Sequence, residues 1–249
     1  MNQLPKKITP CPIHEAVFEI RFNSDMPDDA IFGIVFSAFK ESYNNQASEL
    51  AILQIPSAMR VSDPNLKFAP HYKMENDNFL MQIGPKVVSL SNTRPYQGWE
   101  KFKKEIIELF DRLKALNIFK NVNRVSLRYI NIFAEMDIFD QSNIQVMLEN
   151  NPIESGNISL STQIKNDSII SQIKVISGAQ IKLENELING SLIDIDSFIN
   201  TSENDSQSLL NESFIQKIDA LHNEEKILFY KILGQNHYKE LSPEYEYAS

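Results

Sequence analysis

Glu15 and Glu19 stand four residues apart in EAVFEIRF, and Arg124 and Arg128 stand four apart in RVSLRYIN. An extended chain sends alternate side chains to opposite faces, so each pair, with Arg21 beside the first, lies on one face of its strand. Two carboxylates on one face could act as an acid and base couple. Set against two guanidiniums, they are better explained as partners in ion pairs, because the planar Arg fork can hold a carboxylate in two-point contact. A floor carrying both signs could also orient a small zwitterionic or phosphorylated molecule. In SNTRPYQG, Arg94 and Tyr96 add a cation and a ring within reach of a ligand. The candidate contact residues are therefore Glu15, Glu19, Arg21, Arg124, Arg128, Arg94 and Tyr96.

Other chemistries have less to stand on. His14, His71, His222 and His237 show no H-x-x-x-H or H-E-x-x-H spacing. Asp194 and Asp196 share one strand face and could ligate a divalent cation, or could equally be solvated. Cys11 sits between Pro10 and Pro12 with no evident base, and as the one cysteine it cannot form an intramolecular disulfide. Seven scattered glycines make no phosphate-cradling loop, and no G-x-S-x-G occurs. This inventory points to no catalytic residue, no metal and no cofactor.

The net charge is −9, from 24 Lys and Arg against 33 Asp and Glu. That balance argues against diffuse binding to nucleic acid or an anionic membrane. The start, MNQLPKKITPCP, has no apolar signal segment, and no run approaches the eighteen or so apolar residues of a membrane helix. With a lone thiol, these features predict a soluble cytoplasmic protein.

The elements that must position the charged pairs follow from periodicity. Glu15–Phe22 alternates as a strand, with Ala16, Phe18, Ile20 and Phe22 on the core face. A helix is expected over 28–43, with Pro27 suiting its first turn. Strands are expected at 50–55, 66–74, 78–84 and 87–92. Trp99, Phe102, Ile106, Leu109, Phe110, Leu113 and Leu116 then form a strong helical stripe. From Arg124 the order repeats: a strand, a short helix over 140–150, strands at 157–164, 168–176, 179–185 and 191–196, and a long helix. Leu210, Phe214, Ile218 and Leu221 line that helix, which breaks near Asn223.

Strand, helix, four strands and helix, read twice, predicts an α+β fold built from an internal duplication of about 110 to 120 residues. Residues 1–120 form the first β-α-β4-α half and 121–249 the second, together one pseudo-symmetric unit. Joined through their first strands, the halves make one curved antiparallel sheet of about ten strands, with long helices on one face and a concave open face. Glu15 and Glu19 then meet Arg124 and Arg128 across the central pair on the open face.

This element order resembles the saddle of the TATA-binding-protein fold and its helix-grip relatives. The DNA contacts of that saddle do not carry over, since Glu15, Val17, Glu19, Arg21, Arg124, Ser126 and Arg128 make its open face mixed in charge. Pro12 to Phe22, Y-Q-G-W-E at 96–100, R-x-x-L-R-Y-I-N at 124–131 and L-I-D-I-D at 192–196 together resemble an uncharacterised, sporadically distributed bacterial family of about this length. That resemblance implies a bacterial cytoplasmic protein, suggests a mobile or defence-linked gene cassette, and supplies no catalytic residues.

Two functional readings follow. In the first, the chain is a non-enzymatic interaction protein whose acidic surface suits a basic protein partner. In the second, it is a small-ligand binder or enzyme using the polar open face. Exposed edge strands leave a homodimer open.

Overall fold

The computed structural model describes residues 4–245 apart from 65, 154–156, 184–185 and 202–212. Its first strand, β1 (Ile13–Asn23), alternates as its sequence dictates: Ala16, Phe18, Ile20 and Phe22 are buried, and the residues between them are half-exposed. There follow α1 (Asp28–Phe39), β2 (Ser48–Glu49), α2 (Ser57–Ser62), β3 (Tyr72–Glu75), β4 (Phe79–Gly84), β5 (Val87–Asn92) and α3 (Trp99–Ala115). Beyond them lie β6 (Asn121–Ala134), β7 (Met147–Leu148), β8 (Asn151–Pro152), β9 (Ser159–Asn166), β10 (Ile169–Leu183), β11 (Glu186–Asn200), α4 (Ser213–Ile232) and α5 (Gln235–Glu240). The fold is α+β, with one antiparallel sheet of nine strands in the order β2-β3-β4-β5-β1-β6-β11-β10-β9 and a separate β7–β8 ribbon.

Several expected elements take another form. The apolar run at 50–55 coils as a 3-10 turn, Ala51–Gln54, ahead of Pro56, and the strand there is only β2; a short apolar run without alternation fits either state. The helix expected over 28–43 gives way to a 3-10 turn after Phe39. Residues 66–68 form a turn, so β3 begins at Tyr72. No helix forms over 140–150: Glu149 and Asn150 adopt φ of 49° and 67° and turn the chain into the β7–β8 ribbon. The two strands expected at 168–176 and 179–185 are one strand, β10, which runs through Gly178 at φ 63°. Residues 186–190, left between the strands expected at 179–185 and 191–196, lie inside β11, where a Cβ on Gly190 would overlap the carbonyl oxygen of Phe133. Helix α4 continues unbroken past Asn223; Leu210 lies outside the described residues.

The chain divides into two compact units. The first comprises Ala16–Leu127 and Phe198–Ala220; the second comprises Met1–Glu15, Arg128–Ser197 and Leu221–Ser249. Relative to a division after residue 120, segment 1–15 belongs with the later strands and segment 198–220 with the earlier ones.

In the first unit, Phe18 and Ile20 of β1, Ile31, Val35 and Phe39 of α1, and Phe102, Ile106, Phe110 and Leu113 of α3 are all at 3% exposure or less. Burying each such side chain contributes about 1.5–3 kcal/mol. Phe214, at the start of α4, stacks on Phe110 at 3.6 Å between centroids and meets Phe18 edge-on at 6.1 Å. In the second unit, Phe133, Ile173, Val175, Ile193 and Ile195 pack with Leu228, Ile232 and Leu233.

Candidate functional site

The side of β6 and β11 turned away from the buried positions carries the charged residues. Along β11, Ile193, Ile195 and Ser197 are buried, so Asp194, Asp196 and Phe198 take the other face. Along β6, Val125, Leu127, Tyr129 and Phe133 are buried, leaving Arg124, Ser126 and Arg128 opposite.

In the second unit Arg128 grips Asp194 at two points. Its Nε donates to Oδ1 at 2.7 Å and its Nη2 to Oδ2 at 2.6 Å. The Arg128 side chain is 45% exposed and that of Asp194 13%. This hydrogen bonding holds the guanidinium above its already high pKa, against partial burial, and the negative charges of Asp194, Asp196 and Glu15 add to the effect. Three carboxylates thus act on one guanidinium.

In the first unit the remaining charges are arranged differently. Arg21 Nε donates to Glu19 Oε1 at 2.6 Å on the same strand face. The Arg21 guanidinium lies 5.0 Å from the Phe68 ring, and that of Arg124 lies 3.9 Å from the Phe198 ring. Ser89 pairs with Glu19 and Ser91 with Val17 across β5 and β1; with Ser126, both serines are buried.

The predicted residues therefore fall into three places. Glu15 and Arg128 come within electrostatic reach in the second unit, while Glu19 and Arg21 pair in the first, which also holds Arg124. Arg94 and Tyr96 belong elsewhere. Asn92 fixes their loop, donating from Nδ2 to the carbonyl of Asn78 at 2.9 Å and accepting the Gln97 N–H on Oδ1 at 2.8 Å. Arg94 is exposed there, and Tyr96 sets its ring edge-on to buried Phe102 at 6.4 Å. Glu19 pairs with Arg21 in the first unit, and Arg128 pairs with Asp194 in the second. Asp194 stands on β11, a neighbour of β6, and both of its carboxylate oxygens accept from the Arg128 fork.

The buried side also holds polar groups, Tyr129 and Asn131 falling there by the strand alternation of β6. Tyr129 Oη lies 3.1 Å from His222 Nδ1, and Asn131 donates to the carbonyl of Ile193 at 3.3 Å. Glu225 on α4 accepts the Ser197 N–H at 2.9 Å, and Ser197 Oγ is 2.7 Å from Ser171 Oγ. Burial pushes the Glu225 carboxyl well above the usual carboxylate range, and the charges of Asp196 and Asp194 push the same way, against the hydrogen bonds of Ser197. No signal in the helical stripe distinguishes Glu225 from Glu224, because both are polar residues on a long amphipathic helix.

Among the described residues, no grouping of three or more His, Cys, Asp or Glu side chains could hold a metal ion, and no helix is long and apolar enough to cross a membrane. No protein-family model and no curated protein matches the chain.

Proposed function

We propose that this protein is a binding protein whose polar sheet face engages a basic protein partner. The observation that carries the reading is the setting of Arg128, where Asp194, Asp196 and Glu15 outnumber one guanidinium. The fork of Arg128 holds Asp194 in place, and the summed negative potential of the three carboxylates favours the approach of Lys or Arg side chains. The chain's net charge of −9 reinforces that preference at long range. Capture from a lysate of the native host, with wild type beside an Asp196→Asn, Glu15→Gln double variant, tests this. A stoichiometric basic partner retained by wild type, released by added salt and lost by the variant is expected. Recovery of the bare protein alone sinks it.

A second reading rests on the first unit, where Arg21 and Arg124 lie against Phe68 and Phe198 near buried serine hydroxyls. Such a floor suits a small phosphorylated ligand. A thermal-shift screen against nucleotides and sugar phosphates, repeated on Arg124→Gln, separates it from the first.

The sheet order also supports a common origin for its two sides. β5 returns to pair with β1 as β11 returns to neighbour β6, so each first strand takes the last strand of its own half beside it. We infer an ancestral duplication from this, in keeping with the TATA-binding-protein-like order of elements, although β9, β10 and β11 stand where four strands were expected.

A further inference from the structure

β9 ends the sheet, and every one of its residues is exposed except half-buried Leu160. Its inner edge is fully engaged: eight residues pair with β10, from Asn166 opposite Ile169 to Ser159 opposite Ile176. Sheet edges of this length are ordinarily blunted by proline, by a bulge or by several charges. β9, SLSTQIKN, carries Lys165 as its one charge and no proline. The other end of the sheet is β2, only two residues long.

Its side chains are sorted by face. Leu160, Thr162 and Ile164 stand opposite Val175, Ile173 and Ser171, so they extend the face that is buried in β10. Yet Ile164 is 41% exposed. An apolar stripe on an open edge identifies a surface, and the sequence of the strand identifies what fits it. Laid antiparallel on itself about a twofold axis at Thr162, β9 sets Leu160 against Ile164 twice and Thr162 against Thr162. On the other face, Ser161 meets Gln163 and Ser159 meets Lys165. Apolar side chains meet apolar ones, and the single cation meets a hydroxyl instead of its own copy.

We propose that β9 is a homodimer edge: a second copy of this chain adds its own β9 antiparallel, with the axis at Thr162. The backbone hydrogen bonds supply affinity, and the Leu160–Ile164 pairs fix the register. One strand pair with its flanking side chains falls toward the lower end of specific interfaces, so the dimer dissociates in the micromolar range. Each copy carries a net charge of −9, so added salt strengthens the dimer by screening that repulsion. The acidic-face complex responds to salt in the opposite sense.

Sedimentation of the full chain from low to high micromolar concentration tests the edge. Wild type is expected to pass from the 28.6 kDa chain mass to twice that value. Thr162→Lys and Thr162→Asp, each confirmed as folded by circular dichroism, should stay single because each sets like charges across the axis. Their equimolar mixture should recover the dimer. Wild type that stays single throughout, variants that dimerise as wild type does, or a mixture that stays single each overturn the proposal. If either variant does not fold, amide exchange of wild type decides: slower exchange across 159–166 at high concentration supports the edge, and equal rates refute it.

Discussion

The two units fill their interiors with different chemistry. Under its sheet, the first unit packs rings: Phe18, Phe214, Phe110, Phe119 and Phe22 touch in a chain of stacked and edge-on contacts, and Phe102 meets Phe79 and Tyr96. The second surrounds an aliphatic cluster with buried polar groups, among them Ser171, Ser191, Ser197, Asn131, Glu225 and His237. Rings contribute area and dispersion with few geometric demands. Buried hydroxyls and carboxyls stabilise only where each finds a partner, so they constrain register more than they add stability. Changes in the first unit should therefore register mainly in the depth of the stability well, and changes in the second mainly in its dependence on pH and on strand alignment.

Phe110→Ala is the strongest test of the aromatic side. It removes the ring stacked on Phe214 and leaves a cavity walled by α3 and α4, which costs about 3–5 kcal/mol. Trp99, the one tryptophan, opens α3 in the same unit and reports the transition by fluorescence in a urea titration. A loss under about 1 kcal/mol would mean that the neighbouring rings close the gap, and the contrast between the units would fail on that side.

Glu225→Gln tests the polar side. A carboxyl whose folded pKa lies above its unfolded value contributes most below the unfolded pKa, near 4.3 for Glu, and that contribution is lost as pH rises toward the folded pKa. Glutamine keeps an acceptor for the Ser197 N–H and has no proton to lose. Variant and wild type should therefore be close in stability at about pH 4, with the variant gaining steadily on wild type through neutral and mildly alkaline pH. Unfolding midpoints across that range measure it. Parallel curves would show that Glu225 ionises freely in the folded protein.

How much of this was legible in the sequence depends on whether the answer was local. The alternation of β1 and β6, the stripe of α3, and the faces of Glu19, Arg124 and Arg128 follow from side-chain period alone, and the structure has them as read. The coil at Ala51–Gln54, the β7–β8 ribbon and the fusion of two strands through Gly178 depend on what the segments pack against, which the pattern does not encode. Met147 and Leu148, inside the helix expected over 140–150, are 50% and 68% exposed in the β7–β8 ribbon. The site was half legible for the same reason. Arg128 was visible as a fork in search of a carboxylate; that Asp194 would fill it required knowing that β11 lies beside β6.

Ser171→Ala sharpens the contrast on a smaller scale. It deletes the 2.7 Å contact with Ser197 Oγ and leaves that buried hydroxyl without its serine partner, which costs about 0.5–1.5 kcal/mol. The loss should be reduced when Glu225 is already glutamine, because Ser197 links both residues and their effects are coupled. Strictly additive losses in a double-mutant cycle would show that the serines and the carboxyl act independently.

Arg128→Gln should have the smallest effect on stability and the largest on binding. The Arg128 side of the pair is half open to water although Asp194 is largely covered, and pairs with one end exposed contribute about 1 kcal/mol. Removing the cation leaves Asp194, Asp196 and Glu15 with their mutual repulsion, so the loss should be greatest at low salt and fade as salt rises. If the surplus of negative charge is what a basic partner reads, this variant binds that partner at least as fast as wild type while holding it in a less defined orientation: the association rate is kept or raised, and dissociation is faster. A variant that instead loses several kcal/mol would place Arg128 among the buried polar groups that hold the second unit together, and the open face would then be part of the scaffold and not a recognition surface.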